Sequence, residues 1–323
     1  MNFKELDKNG SVEGFALVKS CDKKSAKNGS VYLDITLADK TGEINAKIWD
    51  YREGAFLPEV NTVIKVRGVL SSYNGIPQMK IERSRAIWDS DGVNMNDFVP
   101  GADYDSNYMM NEIYALVNNF DDRELKKLVS ALLNEYKDRM LDWPAAFRLH
   151  HAIKGGLLMH TLSIVRMCQA VAALYPTVDE ELLISGAILH DIAKTEEFKI
   201  SPVGLAEGYT ADGTLIGHLV RGAMAVERVG TAIGSDKNTM MLLEHMIISH
   251  HGEPEFGAAV RPLFLEAEIL SQLDELDAKI YEFENATADI EPGEFSNRQW
   301  ALNERKLYNH GRKKIETKVN FND

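Results

Sequence analysis

Cysteine is nearly absent: Cys21 and Cys168 are the only two in 323 residues, too few and too far apart for a disulfide framework or a thiolate metal cage. They read as unpaired thiols in a reducing compartment. No apolar run approaches the ~20 residues of a membrane span, and MNFKELDKNG has no apolar core of a secretory leader. The expectation is therefore a cytoplasmic chain that works without a membrane. Internal repeats, low-complexity tracts, a phosphate-cradling glycine loop and a nucleophilic serine motif are also missing.

Positive charge is scarce overall, and a net charge of −13 argues, taken whole, against a polyanionic partner. The distribution differs from the total. Residues 1–90 carry 14 Lys and Arg against 12 Asp and Glu, which leaves 22 against 37 for the remainder. The N-terminal part is where a nucleic-acid contact would lie.

That part reads as strands. In VYLDITLAD, Val31, Leu33, Ile35 and Leu37 alternate with Tyr32, Asp34 and Thr36; in EINAKIWD, Ile44, Ala46 and Ile48 alternate with Asn45, Lys47 and Trp49. DKTGE between them is a hairpin turn. SVEGFALVKS supplies a first strand, VNTVIKVRGVLSS and GIPQMKIERSRAIW a final pair around Tyr73-Asn74-Gly75, and YREGAFLP a short insertion before that pair. Five strands so arranged match an OB barrel, whose second and third strands carry oligonucleotides.

The outward face of those two strands offers Tyr32, Lys47 and Trp49, with Phe15 a weaker addition, and CDKKSAKNGS reads as a loop bringing Lys23, Lys24 and Lys27 nearby. Rings that stack on bases beside lysines that track phosphates suit a single strand. The same aromatics would equally serve to pack the barrel on a neighbouring domain.

After residue 90 the pattern changes. SDGVNMNDFVPGADY is polar with Gly and Pro, and NYMMNEIYALVNNFDDRELKKLVSALLNEYKDRML returns to helical spacing. Four further segments are apolar at helical spacing: GGLLMHTLSIVRMCQAVAAL, DEELLISGAILHDIAK, NTMMLLEHMIISHH and LFLEAEILSQLDELDAKIYEF. They carry His160, His190-Asp191, His250-His251 and Asp274, with His218 between the second and third.

Neutral imidazole and carboxylate together hold Mn, Fe, Ni and Zn, and a catalytic site keeps a position open for water. His190 and Asp191 are neighbours ~100° apart on a helix and reach one ion only beside that helix's end, which KTEEF, Pro202 and Gly204 supply. A bundle then brings His160 and Asp274 to the same point. Any one of these residues alone would be read as a hydrogen-bonded core group.

The order His, His-Asp, Asp on successive helices resembles the HD superfamily of metal-dependent phosphohydrolases, whose fold is all helical. The resemblance implies that His160, His190, Asp191 and Asp274 hold one ion, and that His218 in IGHLVRG and His250 in SHHG hold a second, with Asp191 shared. HDIAK resembles the family's HD-x-x-K pattern, which implies Lys194 near a substrate phosphate; a solvated lysine at a helix C-terminus is the other reading. His251 would be a further ligand or the acid that protonates a leaving oxygen.

The whole order, barrel then HD bundle, is similar to the YhaM-type 3′-5′ exoribonucleases, also called the CMP-binding-factor family, most specifically over PAAFRLHHAIKGGLLMHTLSIV. That family has GGLLEHT where this chain has Met159 before His160, which removes an acid from that spot. His150 and His151 lie in the same stretch and contact substrate, shape the pocket, or simply start a helix.

The expected architecture is thus multidomain: an all-β OB-fold barrel over residues 1–90, a linker and leading helices over 91–145, an all-α HD-domain helical bundle over 146–290, and a basic tail over 291–323. That tail carries Arg305, Lys306, Arg312, Lys313, Lys314 and Lys318 with Trp300 and Tyr308 among them. It is either solvated or a second phosphate-tracking surface.

The resemblance implies hydrolysis of single-stranded RNA, or also DNA, from the 3′ end to 5′ mononucleotides. It implies one or two divalent ions, manganese first, with Fe, Ni, Co, Mg or Zn as alternatives. Two other functions stay open: an HD phosphohydrolase of small or cyclic nucleotides regulated by the barrel, and a single-strand-binding factor without activity.

Overall fold

The structure, a computed structural model, describes residues 3, 10–26, 29–39, 41–73, 76–94, 97–98, 105–146, 153–201, 204–288 and 290–312. Lys27, Asn74-Gly75, His150, His151 and the lysines from Lys313 onward lie outside them.

Five strands form the first half: β1 (Gly10–Ser25), β2 (Val31–Asp39), β3 (Gly42–Ile48), β4 (Val63–Tyr73) and β5 (Ile76–Ala86). They close into a barrel in the order β1-β2-β3-β5-β4, with β1 also pairing with β4. The period-two pattern is the cause, because Leu33, Ile35, Leu37, Ile44 and Ala46 all turn inward and are buried with Val66 and Met79. Gly68 sits at a shift in the β4–β5 register, where a Cβ would stand 2.3 Å from the Lys80 carbonyl oxygen. Only glycine allows that approach.

Two sequence expectations change in the barrel. β1 is 16 residues long rather than the ten of SVEGFALVKS, so Lys23 and Lys24 belong to a strand, not to a loop, and Lys24 stands directly opposite Tyr32. A register shift between Val18 and Ser20 bends this strand between β4 and β2, which is why its alternation is poor. Trp49 lies one residue beyond β3. Phe15 turns away from the Tyr32 side, to lie beneath the Lys65 ammonium at 5.6 Å.

The second half is helical: α1 (Ser106–Asn118), α2 (Arg123–Met140), α3 (Gly156–Leu174), α4 (Glu180–Leu189), α5 (Lys194–Glu197), α6 (Ala211–Leu215), α7 (Gly217–Ile233), α8 (Lys237–Ser249) and α9 (Leu265–Thr287), with a small hairpin of β6 (Phe198–Ile200) and β7 (Ala206–Tyr209). Aspartates cap four of them: Asp105, Asp122, Asp179 and Asp236 accept from backbone N–H groups of the first turn. One core joins α1, α2, α3, α4, α7, α8 and α9. α1 and α2, the leading helices, are part of that core.

α4 is apolar all round, and every residue from Leu182 to Leu189 is buried, as befits the central member of a bundle. α3 is long and apolar enough to cross a membrane by length and composition, contrary to the expectation that no run approaches that length. Here it packs Leu157, Leu158, Leu162, Ile164 and Val165 into the common core.

Residues 291–312, the described part of the basic tail, fold back as a hairpin: Phe295 pairs with Tyr308 and Gln299 with Arg305. Leu302 and Leu307 are buried beneath it, and Arg305 lies 5.4 Å from the Phe283 ring on α9.

Candidate metal centre

α4 ends at His190, its C-cap residue. Placed there, His190 and Asp191 meet His160 and His218 from the first turns of α3 and α7, His250 from the C-cap of α8 and Asp274 from the middle of α9. The Asp191 carboxylate divides its two oxygens. Oδ2 lies 3.3 Å from His190 Nε2 and 3.6 Å from His160 Nε2, while Oδ1 lies 3.4 Å from His218 Nε2 and 3.6 Å from His250 Nε2. Asp274 Oδ1 completes the first group, 3.1 Å from His160 Nε2 and 4.0 Å from His190 Nε2.

Every imidazole in the cluster is turned by a partner on its Nδ1. Those of His190, His250 and His251 donate to the carbonyls of Ala187 (2.8 Å), Ile247 (2.7 Å) and Phe256 (2.9 Å). A carbonyl only accepts, so Nδ1 carries the proton and Nε2 keeps its lone pair. His160 and His218 use carboxylates instead, Asp277 Oδ2 at 2.7 Å and Glu197 Oε2 at 3.0 Å. These are the outer contacts that fix the ring and raise the basicity of a metal-ligating histidine.

A divalent ion fits where buried donor atoms are left without a partner. Asp191 Oδ1, His218 Nε2 and His250 Nε2 are buried without a hydrogen bond. Unsatisfied buried polar atoms are costly, and these three face one another. Ligand atoms of His160, His190 and Asp191 lie within 4.8 Å of one another, as do those of His218, His250 and His251 and those of His190, His250 and Asp274. The residues fit a metal.

The protonation states differ between the two groups of ligands. Burial pushes His250 down to about 3, against the pull of Asp191, and also lowers His251. Burial opposes charge on Asp191 and Asp274 too, yet Lys194 and His190 hold the first well below the usual carboxylate range and His160 does the same for the second. His160 is raised to about 9 because Asp274 and Asp277 outweigh its own burial. The carboxylates converge on a point that calls for positive charge.

Lys194 is neither a solvated lysine nor distant. It is buried, its Nζ donates to Asp191 Oδ2 at 2.6 Å, and Asp191 keeps it charged against its burial. With His250, His251, Phe256, Arg261 and Asp274 it lines a cavity of about 530 Å³ that opens the cluster to solvent. Met159, just before His160, is only partly buried and packs on the helical core.

Sequence reasoning missed Asp277 and Glu197. Asp277 was legible: it follows Asp274 by three residues on α9 and so shares its face. Glu197 was not, because β6, β7 and α6 separate it from His218. Their packing is tight at Gly213, where a Cβ would meet the Glu197 carbonyl oxygen at 2.3 Å.

On the barrel, Tyr32 and Trp49 stack with ring centroids 4.8 Å apart, and the Lys47 ammonium lies 5.2 and 5.5 Å from the two rings. Lys24 binds Asp34 at 2.6 Å, and Lys23 lies 5.8 Å from the Tyr51 ring. The aromatic face read from the sequence is thus assembled, with Trp49 40% exposed. Its lysines are partly engaged within the chain.

A closed five-stranded barrel ahead of a helical bundle with this cluster at its centre defines an OB-fold protein joined to an HD-domain metal site. Comparison with known families agrees, since the OB-fold nucleic acid binding domain matches residues 12–86 and the HD domain residues 157–279. An HD domain implies a divalent metal.

The chain is similar to the 3′-5′ exoribonuclease YhaM of Listeria welshimeri, 38% identical over 303 residues, which cover 93% of this chain and 95% of that one. The YhaM of Listeria innocua is 37% identical over 300 residues, covering 93% and 95% of the two chains, and that of Bacillus subtilis 33% over 300, covering 92% and 94%. The chain belongs to the YhaM family of 3′-5′ exoribonucleases.

Proposed function

We propose that this chain is a metal-dependent 3′-5′ exoribonuclease that hydrolyses single-stranded RNA, and single-stranded DNA as a second substrate, to 5′ mononucleotides. The observation that carries the reading is the division of the Asp191 carboxylate between two imidazole groups, of which His218 and His250 face its Oδ1 with all three atoms buried without partners. His160, His190, Asp191 and Asp274 hold one divalent ion and His218, His250 and Asp191 a second, with manganese the first candidate. The third imidazole beside His218 and His250 is His251. It is a further ligand or the acid that protonates the leaving oxygen.

When bound, two such ions lower the pKa of a water and neutralise phosphate oxygens during in-line displacement. The chain's own groups do the rest. Lys194 holds Asp191 ionised and presents its ammonium to the cavity, where a scissile phosphate is drawn to it. The carbonyls of Ala187, Ile247 and Phe256 keep the imidazoles in the ligating tautomer without reorganisation. A water gives up a proton as its oxygen attacks phosphorus, the bond to the penultimate 3′ oxygen breaks, and that oxygen takes up one proton in return, leaving a shortened strand and a 5′ mononucleotide with no net proton gained or lost by the chain. The barrel retains the strand on Tyr32, Lys47 and Trp49, with Lys23 and Lys24 at the edge, and the work is cytoplasmic.

The test is incubation of the purified chain with Mn²⁺ and a 5′-labelled single-stranded oligoribonucleotide. A ladder shortening from the 3′ end and halting at a stable duplex is expected; products that begin with internal cuts overturn the reading. A rate that did not depend on strand length would point instead to a small-nucleotide phosphohydrolase.

A further inference from the structure

β3 pairs with β5 only over Asn45–Lys47 and Gln78–Lys80. Beyond that the two strands part, and the loop after β3 crosses the gap. The seam is a cavity of about 650 Å³, lined among others by Tyr51, Phe56, Lys65, Arg67, Arg83 and Arg85. It lies apart from the Tyr32 and Trp49 rings, which do not line it.

The charge arrangement there is unusual for a sheet. Lys65 stands directly opposite Arg85 across β4 and β5, and Arg67 directly opposite Arg83. Like charges so placed destabilise a sheet. One pair is answered internally, Lys65 by Glu13 at 3.1 Å and Arg85 by Asp91 at 2.7 Å. Among the described residues the other pair has no ion-pair partner, since Glu13, directly opposite Arg67 across β1 and β4, turns to Lys65, and both arginines are exposed. Arg52 joins them in the lining, so five cations face three acids, Glu13, Asp50 and Glu82.

Two guanidiniums without an ion pair, side by side at one opening, make an anion site, because each offers a planar fork of donors to phosphate. Phe56, 38% exposed at the rim, adds a ring face of the kind on which bases stack. Tyr51 links this seam to the other face: it follows Trp49 by two residues and lies beneath the Lys23 ammonium.

We propose that the seam between β3 and β5 is a second contact site for a single strand of nucleic acid, with a backbone phosphate held between Arg67 and Arg83 and a base on Phe56. The inference rests on the reading of the barrel as the strand-holding half. It lengthens the footprint beyond the Tyr32 and Trp49 platform.

The test uses the full chain with EDTA present, so that the strand stays intact, and a fluorescein-labelled 20-residue oligouridine as probe. For Arg67→Gln with Arg83→Gln, affinity at low salt should fall roughly tenfold and the slope of log K against log salt by about 1 for each arginine. The melting temperature should hold or rise as repulsion is relieved. Arg67→Lys with Arg83→Lys should keep most of the salt slope. An unchanged affinity and slope, or a loss accompanied by a lower melting temperature, would overturn the proposal. If Tyr32→Ala with Trp49→Ala weakens binding while the arginine variant does not, the seam falls and the barrel's role stands; if the wild-type chain does not bind the probe, both fall.

Discussion

The helical centre and the barrel face solve the problem of holding charge in opposite ways. In the bundle, His160, His190, Asp191 and His250 are at most 1% exposed, and each of the three imidazoles is oriented by a contact on its Nδ1 before any ligand arrives. On the barrel, Trp49, Lys24 and Arg67 stand in water, the first two held only by a ring stack on Tyr32 and an exposed pair with Asp34. The first design suits an ion of fixed geometry and a reaction that tolerates little displacement. The second suits a strand of any sequence that must slide.

That contrast can be broken most forcefully at Asp191. Asp191→Ala should abolish hydrolysis of every substrate length and lower the bound metal, read by turnover and by elemental analysis, while oligonucleotide binding to the barrel persists. Near wild-type turnover with normal metal content would remove the HD site from the mechanism.

Next in size is the barrel. Tyr32→Ala with Trp49→Ala should weaken binding of long oligonucleotides by about 1 to 3 kcal/mol for each base left unstacked and make little difference to hydrolysis of a dinucleotide. Equal losses on short and long substrates, with metal content preserved, would mean that the two rings support the fold.

Metal removal should separate the halves by stability. An ion that binds only the folded state stabilises it by about 2.7 kcal/mol at a hundredfold excess over Kd, so chelation should lower the melting of the helical half alone. Calorimetry showing the barrel transition moving equally would show that the two halves unfold as one.

The smallest effect sharpens the comparison within the bundle. Asp277→Asn keeps the shape beside His160 but not the charge, and outer contacts of this kind are worth about 10- to 100-fold in metal affinity or activity. Metal titration of the variant tests it. No change would mean that His160 is oriented by packing alone.

The sequence carried the barrel's five strands and inward set because a period of two is local and burial obeys it from Leu33 to Ala46. It carried the HD pattern for another reason: His160, His190-Asp191 and Asp274 each sit on a separately legible helix, and the family resemblance supplies the closure. What it did not carry depends on tertiary detail. The bend of β1 at Val18 and Ser20 put Lys23 and Lys24 on a strand, and Glu197 reaches His218 only through a hairpin with no strong periodicity. The like-charge pairs of β4 and β5 need the strand register, which no spacing of Lys65, Arg67, Arg83 and Arg85 reveals.

The shared carboxylate at Asp191 has a consequence for occupancy. On the two-ion reading, one position is anionic, with Asp191 and Asp274 beside His160 and His190. The other has only its share of Asp191 beside the imidazoles of His218 and His250, with no second carboxylate of its own. Two dications a few ångströms apart also repel. Filling either position therefore weakens the other by the same factor, as reciprocity requires, and the position at His218 and His250 is the one that empties first as free metal falls. The enzyme would then lose its second ion while the first remained, so that the supply of metal, rather than of strand, sets the fraction of molecules ready to cut.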